Sequence, residues 1–315
     1  MLPVTPDTGS QPFLDILSPT LTGQVKDYFV KSKYWEHERL LGHGAYGFVS
    51  LLREKVTFGR SRRISLKLAL PRGKQQLENE ISWLKRLRGA RHLVTMLASC
   101  DDIAASANNQ IHRSQKFTRR VVARFTKLFR VPPRSVFDSL AGVQGPAVAL
   151  EYIENGSLIS LQKRLRQRKK SLPNRILWSI CLCLIRACVG MAYPMSKPEG
   201  AKSILETIPT DGTPPGDLMH GDIAGRNVVV GTGDRLNEHR ISIIDRSPTV
   251  DPVLRDFVAQ CMAPAAIQRP TLRQALDRAH NAVLMKKPDS FPDPSSESNN
   301  AIREVVQELI YDATL

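Results

Sequence analysis

The sequence is short of acidic residues where its basic residues are densest. Ile111–Arg134 holds eight Lys and Arg and no Asp or Glu, and Lys163–Lys170 holds six, again with no acid. These two stretches nearly account for the formal net charge of +15. Such clusters either attract phosphates and acidic surfaces or simply form a solvated helix face. The five cysteines, Cys100, Cys181, Cys183, Cys188 and Cys261, are odd in number and make no metal-binding spacing with a histidine. That argues against a metal module, suits a reducing compartment, and leaves Cys181, Cys183 and Cys188 as core thiols of an apolar helix. The opening MLPVTPDTGS lacks the basic start and apolar stretch of a secretory leader, so a cytoplasmic or nuclear protein is expected rather than a secreted one. The longest apolar run, ILWSICLCLIRACVGMAY, is broken by Arg186 and is short for a membrane span. It reads as a buried helix, with no transmembrane segment expected. There is no internal repeat.

What the chain does have is a globular composition, 42% hydrophobic and 24% charged, at a length that suits one bilobal domain with tails. Residues 1–36 read as a loosely organised N-terminal extension. From Glu38 the pattern is of strands, RLLGHGAYGFVSLLRE and RRISLKLAL. LENEISWLKRLRG follows with Leu77, Ile81, Leu84 and Leu87 at helical spacing. RHLVTMLASC and PAVALEYI are strands again, separated by a basic insertion over 101–145 in which Phe117, Val121, Phe125 and Leu128 share a helical face. After Gly156 the chain turns helical, with SLISLQKRLRQRKK and then a long helix opened by Pro173. A Pro/Gly-rich loop leads to LMHGDIAGRNVVV, beyond which VLRDFVAQCM and RPTLRQALDRAHNAVLMK are helical. KKPDSFPDPSSESNN reads as a disordered linker over 286–300. A C-terminal helix over 301–315 puts Ile302, Val305, Val306, Leu309 and Ile310 on a face expected to dock back.

Two local features carry chemistry. GHGAYG places Gly42, Gly44 and Gly47 in a G-x-G-x-x-G, but a strand follows, not the helix that a dinucleotide fold requires. The glycines therefore cap a hairpin whose backbone N–H groups can approach phosphates. Lys67 lies inside an apolar strand, where an ammonium without an anion costs several kcal/mol. Glu80 on the next helix, or a ligand phosphate, would meet it; otherwise Lys67 is a snorkelling lysine on an edge strand.

Together these residues resemble the protein kinase family, in the style of fungal protein kinase-like proteins that carry HGD in the catalytic loop. Gly42, Gly44, Gly47 and Val49 match its glycine-rich loop, Lys67 its strand lysine, and Glu80 the helix glutamate that orients that lysine. PAVALEYIENGSL is similar to the hinge, with Leu150 at the gatekeeper position and Glu151 and Ile153 where backbone groups would bind adenine. In HGDIAGRN, Asp222 falls where the family's base accepts the substrate hydroxyl proton, and Asn227 where its asparagine holds magnesium. Asp245 matches the second metal ligand, and Arg269 an arginine near the end of the domain. The resemblance runs from about Glu38 to Met285. It implies an α+β, bilobal kinase-like fold: a small β-rich N-lobe with its hinge over 37–156, then a truncated helical C-lobe over 157–285. It also implies ATP and Mg²⁺ as cofactors, with the γ-phosphate passed to a protein hydroxyl.

The sequence departs from the family in ways that keep other readings open. Gly221 replaces the arginine that normally precedes the catalytic aspartate, so docking of a phosphorylated activation loop is not expected. Ala224 and Arg226 leave the acceptor class undecided between serine/threonine and tyrosine. Asp245 is followed by Arg246 and Ser247, and only 24 residues lead from Asp245 to Arg269. In the family this interval holds the activation segment and the central helix of the large lobe. Arg269 would lose its glutamate partner, at a cost of about 3–5 kcal/mol if buried. The catalytic loop and the helix Pro173–Tyr193 would expose apolar surface. The junction at Ile244–Arg246 is either a misjudged splice boundary or the mark of a degenerate kinase. Three further expectations stand beside a phosphotransferase: a catalytically inactive pseudokinase or nucleotide- or partner-binding module; a small-molecule kinase, since aminoglycoside- and choline-kinase-like enzymes also carry HGD-x-x-x-x-N; and binding of an acidic partner, nucleic acid or anionic lipid at the basic segment 113–134.

Overall fold

The computed structural model describes residues 34–55, 61–100, 146–218, 223–231 and 250–311, together with positions 23, 27, 29, 30, 32 and 220. The basic segment 113–134 lies outside these residues. Among them the architecture is α+β, an N-terminal five-strand antiparallel sheet followed by a mostly helical C-terminal part. The chain divides into two compact units: Met1–Gly89 with Val94–Tyr152 and Ser196–Lys202, and Ala90–Leu93 with Ile153–Met195 and Ser203–Leu315.

In the first unit, β1 (Trp35–His43), β2 (Gly47–Glu54), β3 (Arg63–Ala69), β4 (Met96–Ser99) and β5 (Ala147–Glu151) are ordered β1-β2-β3-β5-β4. The period-two pattern of β3 decides its faces. Ile64, Leu66 and Leu68 are buried and share one core with Trp35, Phe48, Leu52, Ala147 and Ala149. The opposite face carries Met96 and Val148 against Leu77 and Ile81 of α1 (Lys74–Arg86). Of the apolar stripe read along LENEISWLKRLRG, Leu77, Ile81 and Leu84 pack on the sheet, while Leu87 is the C-cap of α1.

The second unit contains α2 (Leu158–Gln167), α3 (Asn174–Ala192), α4 (Pro252–Cys261), α5 (Leu272–Met285) and α6 (Asn299–Val306), which runs into a π-helical turn at Gln307–Tyr311. By length and composition α3 could cross a membrane. Here ten of its nineteen residues are buried, and it joins residues of α2, α4, α5 and α6 in one hydrophobic core. Trp178 stacks on Phe257 of α4 with ring centroids 6.0 Å apart. The expectation that α3 would be laid bare is therefore corrected. In the loop, Ile223 and Val229 are exposed as expected, and apolar exposure falls also on Val253, Met262, Ile267, Leu284 and Met285. Burial pushes the Cys181 thiol up to about 12, with Cys261 and Cys183 adding to the shift, so it stays neutral in the core.

Two buried carboxylates knit these helices together. Glu297, 1% exposed, accepts from the backbone N–H groups of Asn174 (2.5 Å) and Arg175 (3.0 Å) and from the Asn174 side-chain amide (3.0 Å). It caps the start of α3 from elsewhere in the chain, filling the role that Pro173 cannot play. Asp251 caps α4 through Val253 N–H at 3.0 Å and also accepts from the Trp178 indole at 2.8 Å and the Lys286 ammonium at 2.9 Å. Its own N–H donates to Asn174 Oδ1 at 2.7 Å, joining the two carboxylates into one network.

The expected disordered linker over 286–300 is corrected by the same contacts. Phe291 and Glu297 are buried, Asp293 accepts from Ser295, and Ser298 caps α6. A Pro-, Ser- and Asp-rich composition reads as linker, yet these residue types also make Asx turns and caps when one buried anchor holds them. On the C-terminal face, Val306 and Leu309 are buried in the core, with Ile302 and Val305 packed against it. Part of the basic run Lys163–Lys170 is spent internally. Arg168 donates to Glu308 O at 2.7 Å and pairs with its carboxylate at 3.1 Å, and Lys170 pairs with that carboxylate too.

Replacing Glu297 by Ala leaves the N–H groups of Asn174 and Arg175 without their acceptor inside the fold. Urea denaturation of the full chain should show a loss of about 1–3 kcal/mol. An unchanged midpoint would remove the cap from the account.

Candidate functional site

The first unit brings together the glycine hairpin, Lys67 and Glu80. In β3 the alternation that buries Leu66 and Leu68 turns Lys67 to the face bearing α1, in register with Val49 of β2 and Val148 of β5. One helical turn beyond Leu77 and beside Ile81, Glu80 meets it, with Nζ and Oε2 2.5 Å apart. Both side chains are about one-third exposed, which limits such a pair to about 1 kcal/mol or less of stability. A pair that adds so little to folding can be rearranged by a ligand at small cost.

The hairpin glycines differ in what they do. A Cβ on Gly42 or Gly44 would meet nothing within 4 Å. On Gly47 it would lie 2.5 Å from the carbonyl oxygen of Leu68, so the close approach of β2 to β3 requires glycine there. The hairpin is closed by Gly44 N–H to Gly47 O at 2.8 Å and tied down by Leu70 N–H to Tyr46 O at 2.9 Å. Gly73, which the sequence did not single out, packs under this tip; a Cβ there would fall 1.8 Å from Tyr46 O. Val49 is half-buried on the strand that leaves the hairpin.

On β5, Leu150 pairs with Ser65 and Met96 and packs with the α1-facing core. Glu151 uses its side chain and backbone locally: its Oε1 accepts from Thr95 N–H at 2.8 Å and its own N–H donates to Thr95 O at 2.9 Å.

In the second unit, the segment around Asn227 is laid along the start of α2. Leu158 N–H donates to Val228 O, Val230 N–H to Gly156 O, both at 2.9 Å, and Ser157 bridges to Val229. Val230 is fully buried and anchors the segment, while Asn227 is exposed, its N–H donating to Ala224 O at 2.8 Å. Ile153 is half-buried, near Gly231. Asp222 and Asp245 lie outside the described residues. Among the described residues no group of three His, Cys, Asp or Glu side chains is placed to hold a metal ion. A magnesium site built as the sequence suggests would need Asp245.

The loop that leads toward this segment has its own anchor. Glu206, buried, accepts from His92 N–H at 2.6 Å and lies 2.5 Å from His92 Nδ1, while Ala90 bridges to Ile204. Burial alone would raise the Glu206 carboxyl; the His92 ring and main-chain N–H outweigh it, and the net position is below the ordinary value. Nothing in the Pro/Gly-rich composition of this loop marks Glu206 as buried. Arg269 is likewise placed differently from expectation. It is exposed, and its guanidinium donates to the carbonyls of Ala263 (2.6 Å) and Pro264 (3.1 Å), so no buried charge is orphaned.

No family model matches the chain, and no curated protein matches it.

Two outcomes follow from these placements. Gly47→Ala and Gly73→Ala should each cost about 1–3 kcal/mol in thermal or chemical unfolding, because backbone must move, while Gly44→Ala should stay within about 0.5 kcal/mol of the parent. Because the folded Glu206 carboxyl lies below its unfolded value, its contribution is present above the unfolded value and lost as pH falls through the folded one. Glu206→Gln should be less stable than the parent at neutral pH, and the gap should close below about pH 4 in a denaturation series.

Proposed function

We propose that the chain is a protein kinase-like phosphotransferase with a bilobal kinase-like fold whose helical lobe is truncated. The backbone of the Gly42–Gly47 hairpin and the Lys67 ammonium would meet ATP phosphates, and Glu80 would hold Lys67 in place. Asp222 would take the proton of an acceptor hydroxyl, and Asn227 with Asp245 would hold magnesium against the charge that develops on the transferred phosphoryl oxygens. Leu150, Glu151 and Ile153 would border the adenine.

The observation that carries this reading is the Lys67–Glu80 contact at 2.5 Å. A lysine in an apolar strand and a glutamate on the following helix were paired from sequence as one of two routes to an anion, and they meet on the strand adjoining a glycine hairpin. The sheet-then-helices order of the chain agrees with it.

A second reading, a nucleotide-binding module without transfer, is favoured by the short interval from Asp245 to Arg269. It is favoured too by the way α3 is covered and Arg269 satisfied without the segment that interval usually holds. One experiment separates the two. With MgATP and a panel of protein hydroxyl acceptors, the parent should release ADP above background, and Asp222→Asn should lose that turnover while keeping ATP-induced thermal stabilisation. Equal turnover in Asp222→Asn would end the phosphotransferase reading; stabilisation without any turnover would establish the second.

A further inference from the structure

Arg186 interrupts the longest apolar run of the sequence, and α3, on which it lies, contains no Asp or Glu. It is half-buried, and among the described residues its guanidinium meets the Nδ1 of His280 at 3.5 Å and no carboxylate. The imidazole nitrogen takes at most one of the five guanidinium N–H groups, which leaves most of the Arg186 donors to another acceptor.

The surroundings make room for one. Arg175, Ser179 and Arg186 recur at helical spacing along α3, and with residues of α5 and α6 they line a cavity of about 550 Å³. Lys286 and Arg303 line it as well, and among the described residues no Asp or Glu does. Two of the cations have partners: Lys286 is balanced by Asp251 at 2.9 Å, and Arg175 donates to the Glu297 carbonyl and to Asn299 Oδ1, each at 2.9 Å. Arg186 and Arg303 remain without a carboxylate among the described residues.

We propose that this cavity binds a small phosphate-bearing molecule, with Arg186 and Arg303 on the phosphate and His280 as a further polar contact. Its volume is within the range of small-molecule sites, roughly 300–1,000 Å³. The cations and the imidazole reach the cavity from α3, α5 and α6, and a tetrahedral phosphate offers oxygens in several directions to donors that come from different helices. None of these residues is among those assigned to phosphoryl transfer.

The test is calorimetric titration of the full chain with inorganic pyrophosphate at low ionic strength, alongside citrate. The parent should show saturable binding that Arg186→Gln and Arg303→Gln each weaken about ten-fold or more, and that Lys67→Met retains. Should Arg186→Gln fail to fold by circular dichroism, Arg303→Gln, at an exposed position, decides. Absence of binding in the parent, equal affinity in the Gln variants, or loss of the site in Lys67→Met would each overturn the assignment. Citrate binding more tightly than pyrophosphate would overturn the choice of phosphate.

Discussion

A single carboxylate seated under the first turn of α3 holds the helical part of this protein in register. A helix entering a core brings N–H groups that have no partner within the helix and no water to turn to. Pro173 cannot cap them with a side chain, and Glu297 does so from well over a hundred positions later in the chain. The dependence runs both ways, since a buried carboxylate is tolerable only with such donors around it. Seating Glu297 also places Ser298, the cap of α6, and so delivers Ile302, Val305 and Val306 to the core. Asp251 repeats the device one layer away, serving at once the first turn of α4, the Trp178 indole and Lys286. The apolar core supplies most of the driving force, while these two groups decide which arrangement of helices it adopts.

In the sheet the corresponding constraint is the pleat. Side chains alternate, so the residues that fill the lower core from β3 oblige Lys67 to face α1. α1 in turn is oriented by Leu77 and Ile81, which brings Glu80 over the lysine. The pair is a consequence of packing on both sides of it. Its partial exposure keeps its energetic weight low.

Much of this was legible beforehand. The strands RLLGHGAYGFVSLLRE and RRISLKLAL, the stripe of α1, the long buried helix and the docking face of the last helix follow from periodicity alone. The meeting of Lys67 with Glu80 is legible as one of the alternatives, since a cation in an apolar strand needs an anion, and a ligand phosphate or a snorkelling lysine stands beside it. What escaped had a common cause. Residues 286–300 were misread because composition reports the average behaviour of Pro, Ser and Asp, whereas one buried glutamate set their conformation. The uses of Glu206 and Asp251 were hidden because nothing about an acidic residue in a loop says whose N–H group it will meet. Gly47 matches a motif, yet what requires glycine there is the Leu68 carbonyl oxygen that a Cβ would strike, a constraint no motif records.

The elements follow from local pattern: period two where the sheet forms, period 3.6 where the helices form, and the local chemistry of a glycine hairpin, a strand lysine and an HGD-x-x-x-x-N loop. These are properties of neighbours along the chain, and local sterics and apolar spacing suffice to set them. Tertiary structure alone decided how charge is neutralised. Arg269 turned to carbonyls of its own turn, Glu297 and Asp251 became caps for α3 and α4, and Arg186 came to face a cavity with an imidazole beside it. Electrostatic pairing depends on distances between segments far apart in sequence, and those distances exist only once the chain has packed.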